Sequence, residues 1–118
     1  MINENLPMKI RLIESKASKQ AIREMLEMHG IYVKVAVDLQ KKILAGGGEM
    51  HADCRDLLIE NGSDIKDIWG ASWIPDGQEI HFTSQINIRP SANNPNMEIA
   101  DPQIRAQVKA IVTELLIE

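Results

Sequence analysis

The sequence predicts an α+β domain: a mainly antiparallel sheet of about four to five strands with two helices packed on one face. Two segments carry apolar residues at helical spacing, and the segments between them alternate apolar and polar residues as half-buried strands do. The tight-turn signal Pro75-Asp76-Gly77 joins two of the strands as an antiparallel pair, because Pro presets the first turn residue and Gly accepts the left-handed one.

The first half of the chain contains a strand, a helix and a second strand. Residues 8–13 are predicted to form the first strand. Ser18 is a helix-capping residue, and the apolar residues behind it recur at helical spacing, which predicts a helix over 18–28. Gly30 stands where helices commonly end. Residues 31–39 alternate valines with polar side chains and are predicted to form a strand.

The middle of the chain allows two interpretations. The run after residue 39 continues to Gly46-Gly47-Gly48, which is predicted to form a hairpin turn rather than a phosphate loop, because both common phosphate-loop motifs are missing. Residues 49–54 alternate and favour a strand. Residues 53–60 stay open between a strand and a helix that ends at Gly62.

The second half contains two strands and a helix. Residues 67–74 form a predicted strand with Trp69 and Trp73 on one face. Residues 79–89 alternate apolar or small side chains with polar ones, which predicts a long return strand with a polar face open to solvent. Asp101 caps the last helix and Pro102 occupies its first turn, where the missing N–H costs nothing.

Length and composition exclude several classes of protein. A chain of 118 residues has room for one domain, predicted over residues 8–118 after a flexible segment 1–7. The net charge of −4 and the lack of a Lys/Arg cluster predict no nucleic-acid partner. No apolar stretch approaches the roughly 18 residues of a membrane span, so no membrane partner is expected.

Cysteine usage and the N-terminus predict a cytoplasmic location. Cys54 is the only cysteine, which excludes a disulfide within the chain and a zinc site of several thiolates. Residues 1–9 lack the basic and apolar regions of a secretory signal. Because Cys54 alternates onto the apolar side of its segment, it is predicted to be a buried, inert thiol.

Several short segments resemble an uncharacterised family of small bacterial proteins of unknown function. The likeness covers the chain from about Met8 onward. It is carried by residues 35–38, 47–53, 62–63, 67–70 and 86–90, among them Gly47-Gly48-Glu49-Met50-His51-Ala52-Asp53 and Ile86-Asn87-Ile88-Arg89-Pro90. The resemblance implies no activity, cofactor or site residue, so no role is carried over from it.

One candidate site comprises Glu49, His51 and Asp53. On a strand, residues spaced by two share a face, and His81 on another strand can join them. Two carboxylates and an imidazole are ordinary ligands for a divalent metal, and His51 is a possible general base. Charged residues are also the default on an exposed face, and this second interpretation is favoured, so no metal and no cofactor are predicted.

A second polar cluster contains Asn87 and Arg89. A guanidinium can hold a carboxylate or phosphate through two parallel hydrogen bonds. The favoured alternative is that Arg89 pairs with Glu98 or Asp101 and holds the loop before the last helix.

The combined prediction is a small cytoplasmic protein that binds a ligand or partner through the polar sheet face and has no enzymatic activity. Its candidate ligand-binding residues are Glu49, His51, Asp53, His81, Asn87 and Arg89. The alternative is a metal-assisted hydrolase or lyase with a Glu/His/Asp site. A homodimer is expected, because a second copy would cover surface that a two-layer domain leaves open, and the other partner is a protein or a small molecule.

Overall fold

The structure is a computed structural model, and it describes residues 9–117. The N-terminal segment predicted to be flexible, residues 1–7, lies outside these residues. The described chain folds into five strands and three α-helices. The α+β class and the mainly antiparallel sheet predicted from the sequence are therefore confirmed.

The sheet has the strand order β1-β3-β2-β4-β5, and every neighbouring pair is antiparallel. The strands are β1 Arg11–Ile13, β2 Val33–Asp38, β3 Ile43–Gly46, β4 Ile68–Ile74 and β5 Glu79–His81. The predicted turn at residues 75–78 joins β4 to β5, and the Gln78 N–H donates to the Pro75 carbonyl across it. β2 and β4 are the longest strands, and they form the centre of the sheet.

The helices are α1 Lys19–Leu26, α2 His51–Glu60 and α3 Pro102–Leu116. Ser18 caps α1 by accepting from the Ala21 N–H, and Asp101 caps α3 by accepting from the Gln103 N–H. Both predicted caps are confirmed. α2 is the element that the sequence left undecided. The helix alternative for residues 53–60 is correct, and the strand predicted over 49–54 is wrong.

The two faces of the sheet are covered by different helices. Apolar residues of α1 and α3 form one core with alternate residues of β2 and β4, including Val35, Trp69 and Trp73. On the other face, Cys54 and Leu58 of α2 pack against small or apolar residues of the sheet such as Ala36, Ala45 and Ile68. The face predicted to be wet is therefore partly covered by α2, the third helix.

The β2–β3 turn lies earlier in the chain than predicted. Asp38, at the end of β2, is buried and accepts from the Gln40 and Lys41 N–H groups at 2.9 and 3.0 Å. Ser63 donates to its other carboxylate oxygen at 2.5 Å. The chain reverses at residues 39–42, so the hairpin turn predicted at residues 46–48 is wrong.

The glycine triplet instead joins β3 to α2. Gly47 has φ +101°, and a Cβ there would lie 2.8 Å from the Lys9 carbonyl oxygen and 2.9 Å from the Met25 Cα. No side chain fits at that distance, and L residues rarely adopt that φ. The triplet therefore lets the β3–α2 connection pass between the backbone just before β1 and the backbone of α1. The path of this connection determines where α2 begins.

The long strand predicted over residues 79–89 is wrong after His81. Ser84 lies against Gly70 of β4, where a Cβ would be 2.6 Å from the Ser84 Cβ, and residues 85–87 form a short 3-10 turn. Asn87 then takes over the hydrogen bonds that a strand would make. Its side chain accepts from the Gly70 N–H at 2.8 Å and donates to the Gly70 carbonyl at 3.0 Å.

None of the helices within residues 9–117 has both the length and the apolar content that a bilayer crossing requires.

Candidate functional site

A cleft of about 490 Å³ opens on the sheet face that α2 covers only in part. The start of α2 forms one wall and the loop after β5 forms the other. Between them the sheet supplies the floor, and the loop before α3 supplies part of the rim. The lining residues are Tyr32, Lys34, Met50, His51, Ala52, Ser72, Thr83, Ser84, Gln85, Ile86 and Met97.

Three neighbouring strands place polar side chains in one row across the sheet. Lys34 of β2 lies opposite Ser72 of β4, and Ser72 lies opposite His81 of β5. Directly paired residues of antiparallel strands share a face, at about 5 Å between neighbours. The row therefore runs along the α2 side of the sheet, and its Lys34 and Ser72 form the floor of the cleft.

His51, the first residue of α2, lies over this row. Its Nε2 is 2.9 Å from the Ala71 carbonyl oxygen and 3.5 Å from the Ser72 Oγ. Burial lowers the pKa of His51 to about 4; the hydrogen bond to the Ala71 carbonyl opposes this shift, and the Lys34 charge adds to it. The imidazole is therefore neutral at pH 7, and it presents a hydrogen-bonding group to the cleft without a charge.

The His51–Ser72 pair is not arranged for nucleophilic catalysis. A carbonyl oxygen can only accept, so the Nε2 that faces Ala71 carries the hydrogen. The same nitrogen faces Ser72, and it cannot take the serine proton while it donates to Ala71. Cys54 is fully buried, as predicted, and burial raises the pKa of its thiol to about 12. Neither Ser72 nor Cys54 is therefore an activated nucleophile in this geometry.

One edge of the cleft ends at a stacked pair. The rings of His29 and Tyr32 lie 4.6 Å apart with an angle of 9° between their planes. Within residues 9–117, the buried His29 Nε2 has no hydrogen-bond partner. A buried polar atom without a partner costs free energy, and most such atoms in proteins are hydrogen-bonded. The His29 nitrogen beside the cleft is an exception to this rule, and packing alone does not explain it.

The predicted cluster of Glu49, His51 and Asp53 does not form a shared face, because residues from His51 onward are helical. Asp53 instead caps α2 by accepting from the Met50 N–H at 3.1 Å. His81 is exposed and lies 3.1 Å from a carboxylate oxygen of Glu79. No group of three or more His, Cys, Asp or Glu side chains within residues 9–117 is placed to share a metal ion.

Asn87 and Arg89 have structural partners. Arg89 donates to the carbonyl of Lys66 at 3.1 Å and to that of Ile68, and its guanidinium lies 4.1 Å from the centre of the Trp69 ring. It therefore holds the chain before β4, and the predicted pairing with Glu98 or Asp101 is wrong. Asn87 is fully buried and acts as described above.

The site residues predicted from the sequence do not include three that line the cleft, Tyr32, Lys34 and Ser72. Tyr32 and Lys34 share the polar side of the β2 alternation, which was a usable signal. Ser72 likewise points to the opposite side of β4 from Trp69 and Trp73 in the alternation of that strand. What the sequence could not show is that α2 and the loop after β5 would leave an opening above these three residues.

A wider cleft of about 600 Å³ lies between the β2–β3 turn and α3. Its charged residues, Lys42, Asp67 and Glu114, belong to exposed or half-exposed surface, and its apolar wall is core, Ile111 and Leu115. It lacks a buried titratable group of the kind that His51 supplies to the smaller cleft. The smaller cleft is therefore the better candidate site.

Residues 11–115 match a family model described as a protein of unknown function, DUF5674. The chain belongs to the DUF5674 family. The resemblance to an uncharacterised family is thereby confirmed. No curated protein matches the chain. No solved structure matches it either. In this DUF5674 chain, the family-like segment at residues 47–53 forms the β3–α2 junction that carries His51 into the cleft.

Proposed function

We propose that this protein is a non-enzymatic binding module whose small-molecule ligand enters the cleft between α2 and residues 83–86. One observation carries the proposal: polar side chains from separate elements meet in one concave space. Lys34, His51 and Ser72 come from β2, α2 and β4, while apolar groups such as Ile86 fill the wall between them. Small-molecule sites typically combine an apolar lining with a few convergent polar groups.

The predicted alternative, a metal-assisted hydrolase or lyase, has less support. Its ligand set depended on a strand over residues 49–54, and α2 removes that geometry. Asp53 and His81 also have local partners of their own. A neutral histidine that donates to a backbone carbonyl fits the positioning of a ligand better than proton transfer.

A substitution that fills the cleft tests the proposal. Ala52 of α2 lines the cleft, so Ala52→Trp would occupy the ligand space, whereas Ala106→Trp would add the same ring to an exposed position of α3 on the other side of the sheet. Both variants and the parent are screened by amide NMR against a set of small metabolites. Ligands are expected to shift the amide signals of His51, Ser72 and Gln85 in the parent and in Ala106→Trp.

Ala52→Trp is expected to lose these shifts, because its indole takes the place of the ligand. Circular dichroism and amide dispersion show whether each variant is folded. A ligand that binds folded Ala52→Trp as tightly as the parent, or the absence of any shift at the cleft across the metabolite set, would contradict the proposal.

We also propose that the protein self-associates through a second surface patch. Ile65 and Ile88 are 55% and 45% exposed, and both line a small cleft of about 210 Å³ with Arg55 and Arg89. Acidic residues adjoin these arginines, since Asp56 pairs with Arg55 and the charge of Asp67 acts on Arg89. A two-fold copy can therefore match apolar and opposite charges across one patch. The molar mass of the particle in solution tests this proposal.

A further inference from the structure

We propose that the cleft selects a small monocarboxylate with an apolar body, and that Lys34 binds the carboxylate group. This inference rests on the proposed function, because it names the ligand class of the same cleft. Three observations within the described part of the chain carry it: Lys34 takes part in no ion pair there, no acidic side chain there lines the cleft, and the rim is apolar.

Lys34 has no acidic partner among the described residues. It is half-buried, and it takes part in no ion pair among residues 9–117. Its strand neighbour on β4 is the neutral Ser72. A lysine ammonium forms its stronger hydrogen bonds with anionic acceptors. A bound carboxylate supplies that partner.

Among residues 9–117, no Asp or Glu lines the cleft. Its neutral donors include the hydroxyl groups of Tyr32 and Ser72 and the amide of Gln85, whereas the Thr83 hydroxyl already donates to the Glu98 carboxylate at 3.3 Å. The chain has a net charge of −4, so this positive region stands against the overall sign of the molecule. One ammonium balances one negative charge, which favours a carboxylate over a doubly charged phosphate monoester.

The rim favours an apolar ligand body. Met50 and Met97 are 51% and 42% exposed. Met50 lies at the α2 wall of the cleft, Met97 lies in the loop before α3, and Ile86 belongs to the wall formed by the loop after β5. Methionine side chains are flexible and adapt to apolar surfaces of different shape. A hydrocarbon body would cover them while its carboxylate reaches Lys34 on the floor.

A matched ligand series tests the charge requirement. The straight-chain carboxylates from acetate to octanoate are titrated against the full chain with their primary amides and with inorganic phosphate, and binding is followed through the amide signals of the cleft residues. Carboxylates are expected to bind at least about tenfold more tightly than the amides of equal length. Affinity is expected to rise about fourfold for each CH₂ that the cleft buries.

A matched pair of variants tests the residue. Lys34→Met keeps the aliphatic stem and removes the charge, whereas Lys19→Met makes the same change at an exposed position of α1, which packs on the other face. Lys34→Met is expected to lose about tenfold or more in carboxylate affinity and nothing in amide affinity, with Lys19→Met unchanged. Equal loss for acid and amide would show a packing effect and overturn the inference.

Failure of the inference is separable from failure of the proposed function. Amides that bind as tightly as acids, in a manner that Ala52→Trp abolishes and Lys34→Met does not, would overturn the carboxylate assignment and leave the cleft as a binding site. Phosphate that binds more tightly than octanoate would overturn it in favour of a more highly charged ligand. The absence of cleft shifts with the whole carboxylate series would also overturn it.

Discussion

At the residue scale, His51 joins the fold to the candidate site. Its Nε2 donates to the Ala71 carbonyl of a central strand, and its ring forms part of the cleft wall. Burial keeps the ring neutral at pH 7 and holds its pKa near 4. The burial that lowers this pKa therefore makes the fold sensitive to acid, and the hydrogen bond to Ala71 opposes the shift only in part.

The pKa of His51 predicts a loss of stability in mild acid. The folded pKa, about 4, lies below the ordinary value of 6.5. His51 thus contributes its full share above pH 6.5, and the unfolded chain alone takes up the proton as the pH falls towards 4. The free energy of unfolding is expected to drop by about 3 kcal/mol over that window because of this group. Urea titrations at several pH values measure it.

Two variants isolate the contribution of His51 from that of other acidic groups. His51→Gln keeps an N–H donor near the Ala71 carbonyl and cannot titrate, so its stability is expected to fall less between pH 6.5 and 4. His81→Gln removes an exposed histidine and is expected to follow the parent. A His51→Gln profile parallel to that of the parent would contradict the assignment.

At the element scale, the β3–α2 junction determines where the cleft opens. Gly47 lets the chain pass close to the Lys9 carbonyl and the Met25 backbone, and α2 starts three residues after Gly48. Asp53 then caps the helix through the Met50 N–H. The N-terminus of α2 and His51 therefore lie over the sheet, because the glycine connection is short and packs closely against neighbouring backbone.

Two glycines with similar backbone angles separate strain from crowding. Gly47 and Gly30 have φ +101° and +85°, but only at Gly47 would an added Cβ lie within 3 Å of backbone atoms, since Gly30 has open space around it. Gly30→Ala is expected to cost about 1 kcal/mol from φ alone. Gly47→Ala is expected to cost about 3 kcal/mol or more, because backbone must move as well.

Chemical denaturation of both variants measures these costs. Gly47→Ala is also expected to shift the amide signals at the start of α2, whereas Gly30→Ala changes only the end of α1. Similar losses of stability for the two variants would show that close packing at residue 47 does not position the helix.

At the scale of the whole molecule, the proposed self-association predicts a definite change in mass. Light scattering of the parent at micromolar concentration is expected to give twice the chain mass. Ile65→Glu places a charge in the apolar patch and is expected to give monomers. Ile31→Glu is the matched control. Ile31 is 73% exposed and precedes the start of β2, whereas the patch lies near the end of β2, where Asp38 pairs with Ile68.

A monomeric parent across this concentration range, or a dimer that Ile65→Glu leaves intact, would contradict the proposed interface. Ligand titrations repeated on the Ile65→Glu monomer then show whether the cleft acts independently of assembly. Gln85 and Ile86 line both the cleft and the patch, but Ile65 does not line the cleft, so we expect unchanged affinity in that variant.

The sequence by itself determined the features that depend on local chemistry. The Ser18 and Asp101 caps, the β4–β5 turn and the α+β class all follow from side-chain type and periodicity over a few residues. Residues 49–60 were ambiguous, because alternation at the start and consecutive apolar residues at 57–59 match a strand and a helix alike.

Only the tertiary structure decided where the chain leaves those local preferences. Residues 82–89 alternate as a strand would, yet the buried Asn87 side chain replaces the strand's hydrogen bonds to Gly70, and Ser84 packs on that glycine. Such contacts join residues about 15 apart, so no local pattern contains them. For the same reason the cleft exists only where α2, the sheet and the loop after β5 meet.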